Sequence, residues 1–465
     1  AGDFSQTFDA RGAVIPIYDP ATTREEGTRF VREVFPGNRV AAARLDPVAL
    51  KLLPFYPVPN RPPDNITGAN NYRANSVSTL TRNNFTIKVD YSLGASDKLS
   101  GRYLYNSDDT GGTSVFPERG ACMTNDTKRH QQFWYGSWTR VFSAAMVNEF
   151  RFTYANRINH AYSRGLGGNW PSKIGIKGVP DDAFPQISAT GFTSFGSSNQ
   201  ERRQFPIEQY QVVNNLSWVR GRHALKFGAE LRPSYNYEIN RPSPSGTFSF
   251  STLPTGQPSV AASGNGLATL LVGFVTAFNS RETELLDRSS WYLAGFVQDD
   301  WTVTKNLTLN LGLRFETDTP IVDASNRMNG FDPEARNPVS GTPGVVKFAG
   351  VGGWRTAPYD TDWNNFGPRF GFAWKPFGLE KTVVRGGYGI FFAHPFDHGA
   401  PTSASLGFEV SASLNTPDQG ITAPFYLRDG VPGLSLQKPE LNDSFGAVPV
   451  GRAATTAVTF YEPYR

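Results

Sequence analysis

Cysteine is nearly absent: Cys122 is the one thiol in 465 residues. That excludes an intramolecular disulfide framework and a cysteine-built zinc site. Long apolar runs are absent as well. No stretch of about 18 apolar residues occurs, which excludes a transmembrane helix. It does not exclude a transmembrane β-barrel, whose strands are short and alternate. Charge of one sign is also lacking. The net charge is +4, the basic residues are scattered, and no lysine-rich run or nucleic-acid motif occurs, so no nucleic-acid partner is expected. No G-x-S-x-G elbow and no D-x-D-x-D-G calcium loop are present.

Glycine (46), proline (34) and phenylalanine (35) are abundant, with nine tryptophans and eighteen tyrosines. Mean hydropathy is nevertheless −0.38. A chain that is polar on average yet rich in aromatics suits long β-strands joined by long polar loops. The stretch 289–318 shows the pattern best. Leu307, Leu309, Leu311, Leu313 and Phe315 alternate with Thr308, Asn310, Gly312, Arg314 and Glu316. Successive side chains of a strand point to opposite faces, so this segment has one apolar and one polar face. Thr304-Lys305-Asn306 is the expected turn of a hairpin.

Four further hairpins follow the same rule. They are expected at 85–105 with a turn at 94–97, at 132–158 with a turn at 143–145, at 208–235 with a turn at 220–222, and at 366–392 with a turn at 377–378. Every turn within a hairpin is short and every connection between hairpins is long. Compact domains rarely tolerate even one such connection, whereas outer-membrane barrels have short turns at one end and long loops at the other. The expected fold is therefore all-β: part of a large antiparallel transmembrane barrel, about ten strands in five hairpins. Residues 1–80 are expected to be a long loop region with a short helix, capped by Asp46 and starting at Pro47. Residues 81–392 are the expected central part of the barrel. Residues 393–465 are an outer loop region, with a further strand starting over 455–461.

The shared polar face is expected to carry Lys88, Asp90, Arg102, Glu149, Arg151, Lys226, Glu230, Arg232, Arg314, Glu316, Arg369 and Arg385 as a lumen wall. Tyr91, Tyr105, Trp218, Trp301 and Trp374 suit an interfacial girdle.

Several stretches resemble one family. They are GDFSQ (2–6), IYDPATT (17–23), FPGNRV (35–40), LDPVALKLLPFYPVPN (45–60), NNFTIKVDY (83–91), GFVQDDWTVTKNLTLNLGLRFE (295–316), NNFGPRFGFAWKPFG (364–378) and KTVVRGGYGIFF (381–392). The sequence resembles the Oar-like branch of TonB-dependent outer-membrane receptors. That resemblance implies a place in the outer membrane of a Gram-negative bacterium and contact with outer-membrane lipid. It implies energy-coupled uptake of a large or scarce solute (an oligosaccharide, a peptide or a siderophore), with a TonB-type energy-coupling protein acting through a plug. No TonB-box-like segment, plug, regulatory-like domain or closing C-terminal strand is recognised, so the chain resembles the middle of such a barrel. Alone, it is expected to be insoluble or misfolded, because open strand edges aggregate. The same branch is linked to surface adhesion and protein export, which is the first alternative. The second is a soluble, secreted, carbohydrate-active or carbohydrate-binding β-protein, which would need two carboxylates facing one substrate across about 5–10 Å.

Chemistry-bearing residues give weak signals. His394, Asp397 and His398 form H-P-F-D-H, but Pro395 breaks the helix on which two histidines four apart would share a metal. Asp299 and Asp300 are adjacent, so they face opposite sides of a strand. Asp323, Asp332, Asp360 and Asp362 are loop carboxylates that suit calcium only if they converge. The glycines of 386–389 lie in a strand, not at the mouth of a helix, which argues against phosphate binding. Cys122 has His130 nearby in sequence. The loop aromatics Phe184, Phe192, Phe195, Trp354, Tyr359 and Trp363 either stack on a solute or fold the loops. No catalytic residue, cofactor or resident metal is assigned, and no enzymatic activity is expected.

Overall fold

The computed structural model describes residues 2–198, 201–357, 360–378, 381–392, 406–433, 436 and 438–452. The predicted hairpins form as β1 (Thr79–Leu93) with β2 (Asp97–Gly111), β3 (Asn125–Ser143) with β4 (Met146–Ser163), β5 (Arg202–Arg220) with β6 (His223–Arg241), β7 (Leu286–Thr304) with β8 (Leu307–Asp318), and β9 (Phe366–Trp374) with β10 (Val384–Gly389). Each strand pairs antiparallel with its sequence neighbour, so these strands run as one continuous meander from β1 to β10. Among the described residues β1 and β10 each pair on one side only.

The apolar residues fall into register across the wall. One row runs Ile87, Tyr103, Trp134, Tyr154 and Tyr210. Another runs Leu216, Phe227, Val297, Leu313 and Pro368. A one-residue slip anywhere would put these groups among the charges, so the alternation itself fixes the register.

Two glycines show how closely the strands pack. A side chain on Gly228 would lie within 2.1 Å of the Phe296 ring, and one on Gly386 within 2.7 Å of the Phe372 ring. In each case the aromatic ring covers the bare backbone of its cross-strand partner.

The strands are longer than their alternating cores. β3, β5, β6 and β7 each have 19 residues. Backbone ladder bonds continue past the point where apolar side chains stop, as at Lys128 to Gln132. The hydrophobic pattern marks the apolar belt and leaves the polar extensions unmarked.

The largest departure from expectation lies in the long connections. They do not run as separate loops. Gln186–Ala189, Ser243–Phe250, Ala277–Thr283 and Glu409–Asn415 form a second, four-stranded sheet. The first segment of the chain folds onto it. Helix α1 (Pro47–Leu52) forms as predicted, with Asp46 accepting from the Val48 and Ala49 amides. Helix α2 (Gly266–Leu271) is capped in the same way by Asn265. Leu52 of α1, Phe184, Phe195, Phe248, Phe278 and Leu427 are buried in one core. Segments remote in sequence thus close into a single cap beyond the long-loop end of the wall. Burying each large apolar side chain contributes about 1.5–3 kcal/mol, which offsets the ordering cost of long loops.

Candidate functional site

The polar face is built from alternate residues of neighbouring strands, and register puts all the predicted charges on it. Lys88 faces Arg102, Arg151 shares a row with Glu230 and Glu316, and Lys226 shares one with Arg369. Several of these charges are paired. Lys88 Nζ lies 2.6 Å from Asp90, which also accepts from Ser100 at 2.6 Å. Arg314 donates to Glu316 at 2.8 Å and to the Tyr292 hydroxyl at 2.7 Å, and that hydroxyl donates to Glu316 at 2.9 Å. Arg232 lies over the Tyr292 ring at 4.4 Å. Gln211 donates to Glu230 at 2.7 Å. Arg369 lies over the Phe391 ring at 4.6 Å. The result is a continuous hydrogen-bonding surface of mixed charge, suited to polar solutes and water.

The opposite face carries aromatics near the short turns: Trp218 at the end of β5, Trp301 on β7 and Trp374 at the end of β9. Tyr91 sits beside the first turn, while Tyr105 lies well inside β2, which extends to Gly111. Sequence reasoning passed over Trp291, which faces the same way as Trp301 ten residues earlier on β7. One polar pair interrupts this face near a turn: His223 Nδ1 lies 2.7 Å from Asp299 Oδ2. The His223 ring stacks on Trp301 at 5.4 Å. Asp300, on the polar face, accepts from Asn310 at 2.6 Å and lies 3.8 Å from Lys226. The adjacent aspartates therefore do point to opposite sides.

The cap sorts the predicted loop aromatics. Phe184 and Phe195 are fully buried, so they fold the cap and meet no solute. Phe192 is exposed and touches Tyr56 edge-on at 6.1 Å. Trp363 is 59% exposed and stacks on Phe315 at 6.4 Å. Trp354 lies beneath Arg355 at 5.3 Å. Tyr359 lies outside the described residues, as do His394, Asp397, His398 and the stretch 455–461. A cavity of about 300 Å³ opens in the cap between Glu284, Arg327, Phe408, Val410, Lys438 and Leu441. Glu284 accepts from Arg327 at 2.8 Å and from Lys438 at 2.6 Å.

The loop carboxylates do not converge. Asp323 accepts backbone amides of Asp287, Ser325 and Arg327; Asp332 those of Glu334 and Ala335; Asp362 that of Asn364. Asp360 pairs with Arg355 at 3.3 Å. Each fixes its own turn. Among the described residues no three His, Cys, Asp or Glu side chains cluster as metal ligands would. Cys122 is buried, its sulfur 3.4 Å from the Thr124 hydroxyl, while His130 turns to Asp109 at 2.9 Å. Glu201, missed from the sequence, is buried and accepts the Ser245 amide and hydroxyl, each at 3.0 Å. Burial pushes its carboxyl up to about 8, against the pull of the Ser245 hydrogen bonds.

The profile of one family, described as an outer membrane beta-barrel domain, matches residues 1–464. The chain belongs to that outer-membrane β-barrel family. It therefore resides in the outer membrane of a Gram-negative bacterium, and its strands are part of a large barrel wall. No curated protein is similar enough to count as a relative. Among solved structures it is similar to the outer membrane transporter YddB from Escherichia coli, at 12% identity over 67% of this chain and 32% of that one, with a TM-score of 0.38. It is similar to FpvA of P. aeruginosa, solved with bound pyoverdines, at 13% identity over 72% and 38%, with a TM-score of 0.37. It is also similar to the ferric-catecholate import receptor Fiu from E. coli, at 10% identity over 66% and 46%, with a TM-score of 0.35. The outer-membrane β-barrel chain thus spans between about a third and a half of the length of these proteins.

Proposed function

We propose that the chain is the central part of an Oar-like, TonB-dependent receptor that takes up a large or scarce solute by energy-coupled transport. The observation that carries this reading is the mixed-charge ladder on one face of the wall, from Lys88–Asp90 on β1 to Arg369 on β9. Lining a lumen, it gives plug and solute a wet, hydrogen-bonding surface, and the opposite face meets lipid. The cap, with exposed Phe192, stands where solute recognition belongs. The energy input comes from a TonB-type partner through a plug elsewhere in the protein. No catalytic step is assigned to any residue.

The test is uptake by cells expressing the whole protein, with and without a functional TonB system. Labelled oligosaccharide, peptide and iron-chelate pools are offered in turn. Uptake that collapses without TonB supports the reading. Surface binding of a partner protein that persists without TonB, and no uptake, replaces it with the adhesion or protein-export alternative. That alternative draws on the cap, a folded unit with its own core. The soluble carbohydrate-active alternative does not survive the family assignment.

A further inference from the structure

The polar face changes composition toward the long-loop end of the wall. Near the short turns, Glu149, Glu230 and Glu316 stand among the arginines. Toward the cap, on β1 to β5, Arg82, Arg129, Arg157 and Arg203 share the face with one carboxylate, Asp108. Asp109, Asp126 and Glu208 alternate to the other face. Asp108 accepts from Arg82 at 2.7 and 3.2 Å, and Arg129 stands directly opposite it, so two arginines flank this one acid. On β6, Glu238 is taken by Arg288 of β7 at 2.6 Å. Glu201, just beyond Arg203, is held by Ser245, and its carboxyl, pushed up to about 8 by burial, is neutral at pH 7. Positive charge is therefore in excess across Arg129, Arg157 and Arg203. Arg129 and Arg157 are exposed, and Arg203 is set by its face over the Phe205 ring at 4.3 Å.

The side-chain amides around these arginines differ from those lower on the face. Gln211 donates to Glu230 at 2.7 Å and Asn310 to Asp300 at 2.6 Å. Asn106 and Gln131, in the row of Arg157, and Asn159, opposite Arg129, have no side-chain hydrogen bond among the described residues. Each amide offers both donors and an acceptor, which matches a hydroxyl that gives and takes a hydrogen bond. Each guanidinium offers a planar fork of donors, which matches a carboxylate or sulfate. Strand spacing and rise put Arg157 about 8 Å from Arg129 and about 14 Å from Arg203, measured between Cα atoms. Charges so far apart are met by an extended polyanion, not by one compact anion. An acidic peptide would need pockets for alternate side chains or a strand edge to pair with. Arg129, Arg157 and Arg203 stand on β3, β4 and β5, which have a partner strand on each side.

We propose that Arg129, Arg157 and Arg203, with the amides of Asn106, Gln131 and Asn159, bind an acidic oligosaccharide at the mouth of the lumen. This names the solute class for the proposed receptor and rests on the lumen reading of the polar face. The whole protein, purified from its membrane, is placed in phosphatidylcholine nanodiscs. It is titrated with an oligogalacturonate and a sulfated galactan oligosaccharide, with the methyl-esterified and desulfated forms, with the monomeric acid sugar, and with an oligoglutamate of equal charge. At least one acidic oligosaccharide is expected to bind tenfold or more tightly than its neutral form, the monomer and the peptide. The preference disappears in Arg129→Gln/Arg157→Gln/Arg203→Gln and is kept in the triple lysine variant, with unchanged heat-modifiability in both. Gln131→Ala/Asn159→Ala weakens the oligosaccharide and leaves oligoglutamate binding where it was. Equal binding of the neutral forms, no binding of either acidic oligosaccharide, or full binding by the glutamine variant overturns the proposal. Oligoglutamate bound as tightly replaces the sugar with an acidic peptide. In the same discs, brominated acyl chains quench the fluorescence that Trp301→Phe removes, if the apolar face meets lipid and the polar face the lumen. Quenching without acid-sugar preference removes this inference alone, and no quenching removes both. Acid-sugar binding without TonB-dependent uptake keeps this inference and removes the transport reading.

Discussion

Asp46 and Arg428, 382 residues apart, meet in the floor of the cap, where the Arg428 Nε donates to Asp46 Oδ2 at 3.0 Å. The same carboxylate accepts the Val48 and Ala49 amides through its other oxygen. It is thus the N-cap of α1 and the clasp that ties the start of the described chain to its last third. Asp46→Ala is expected to destabilise the cap by about 2–4 kcal/mol, from a lost helix cap plus a buried amide left unpaired. Asp46→Asn, which keeps an acceptor for the amides, is expected to cost about 1 kcal/mol. Limited proteolysis near residues 41–60 reads the difference. Equal resistance of the alanine variant and the parent would sink the idea.

Glu201 makes cap stability depend on pH. Its folded carboxyl titrates near 8, against an ordinary 4.5. Between those values the unfolded chain has released a proton that the folded cap retains, so stability falls as pH rises. The contribution is complete below about pH 4.5 and lost by about pH 8. Cap unfolding followed from pH 5 to 8 is expected to show this decline, and Glu201→Gln is expected to flatten it. An unchanged slope in the glutamine variant contradicts the assignment.

How much of this was legible in the sequence divides along a physical line. The hairpins were legible because each strand interior alternates apolar with polar residues, and register follows from that alternation. That logic also put Asp299 and Asp300 on opposite faces, and the α1 cap at Asp46 was visible from its Asp-Pro start. The cap sheet was not legible. Its strands are short, and all four bury side chains at nearly every other position against segments far away in sequence. Nothing local announces that Phe184 will meet Phe55, or Phe248 meet Phe425. Glu201 escaped for the same reason. A glutamate at the foot of a strand looks like any surface charge until Ser245 folds over it.

The buried and exposed loop aromatics separate structural from recognition roles. Phe195→Ala is expected to cost about 3–5 kcal/mol of cap stability, because it opens a cavity among Phe55, Phe116 and Phe184. Trp363→Ala is expected to leave unfolding within about 0.5 kcal/mol of the parent, as surface substitutions usually do. Trp363 stacks on Phe315 of the apolar face, so its loss is expected to leave solute uptake per folded receptor unchanged. A fall in uptake per folded receptor would place Trp363 on the solute path instead.

Sidedness of the wall is tested with one strand. On β8, Leu313 lies on the apolar face opposite Val297, which sits between Trp291 and Trp301 on β7. Asn310, on the polar face, bonds to Asp300. The two tryptophans are ten residues apart, which at a tilt of about 40° spans roughly the 25 Å of a membrane barrel's apolar band. Leu313 is then near mid-membrane. Leu313→Arg should cost about 2–4 kcal/mol, the value for a cation at that depth on the lipid side. Asn310→Arg, beside the Asp300 carboxylate, is expected to fold as well as the parent. Folding into bilayers of defined thickness, with denaturant titration, measures both. If the two arginines cost the same, neither face is in lipid and the sided wall fails. If Asn310→Arg is the costly one, the faces are reversed, and the charged ladder from Lys88 to Arg369 loses its place on the lumen.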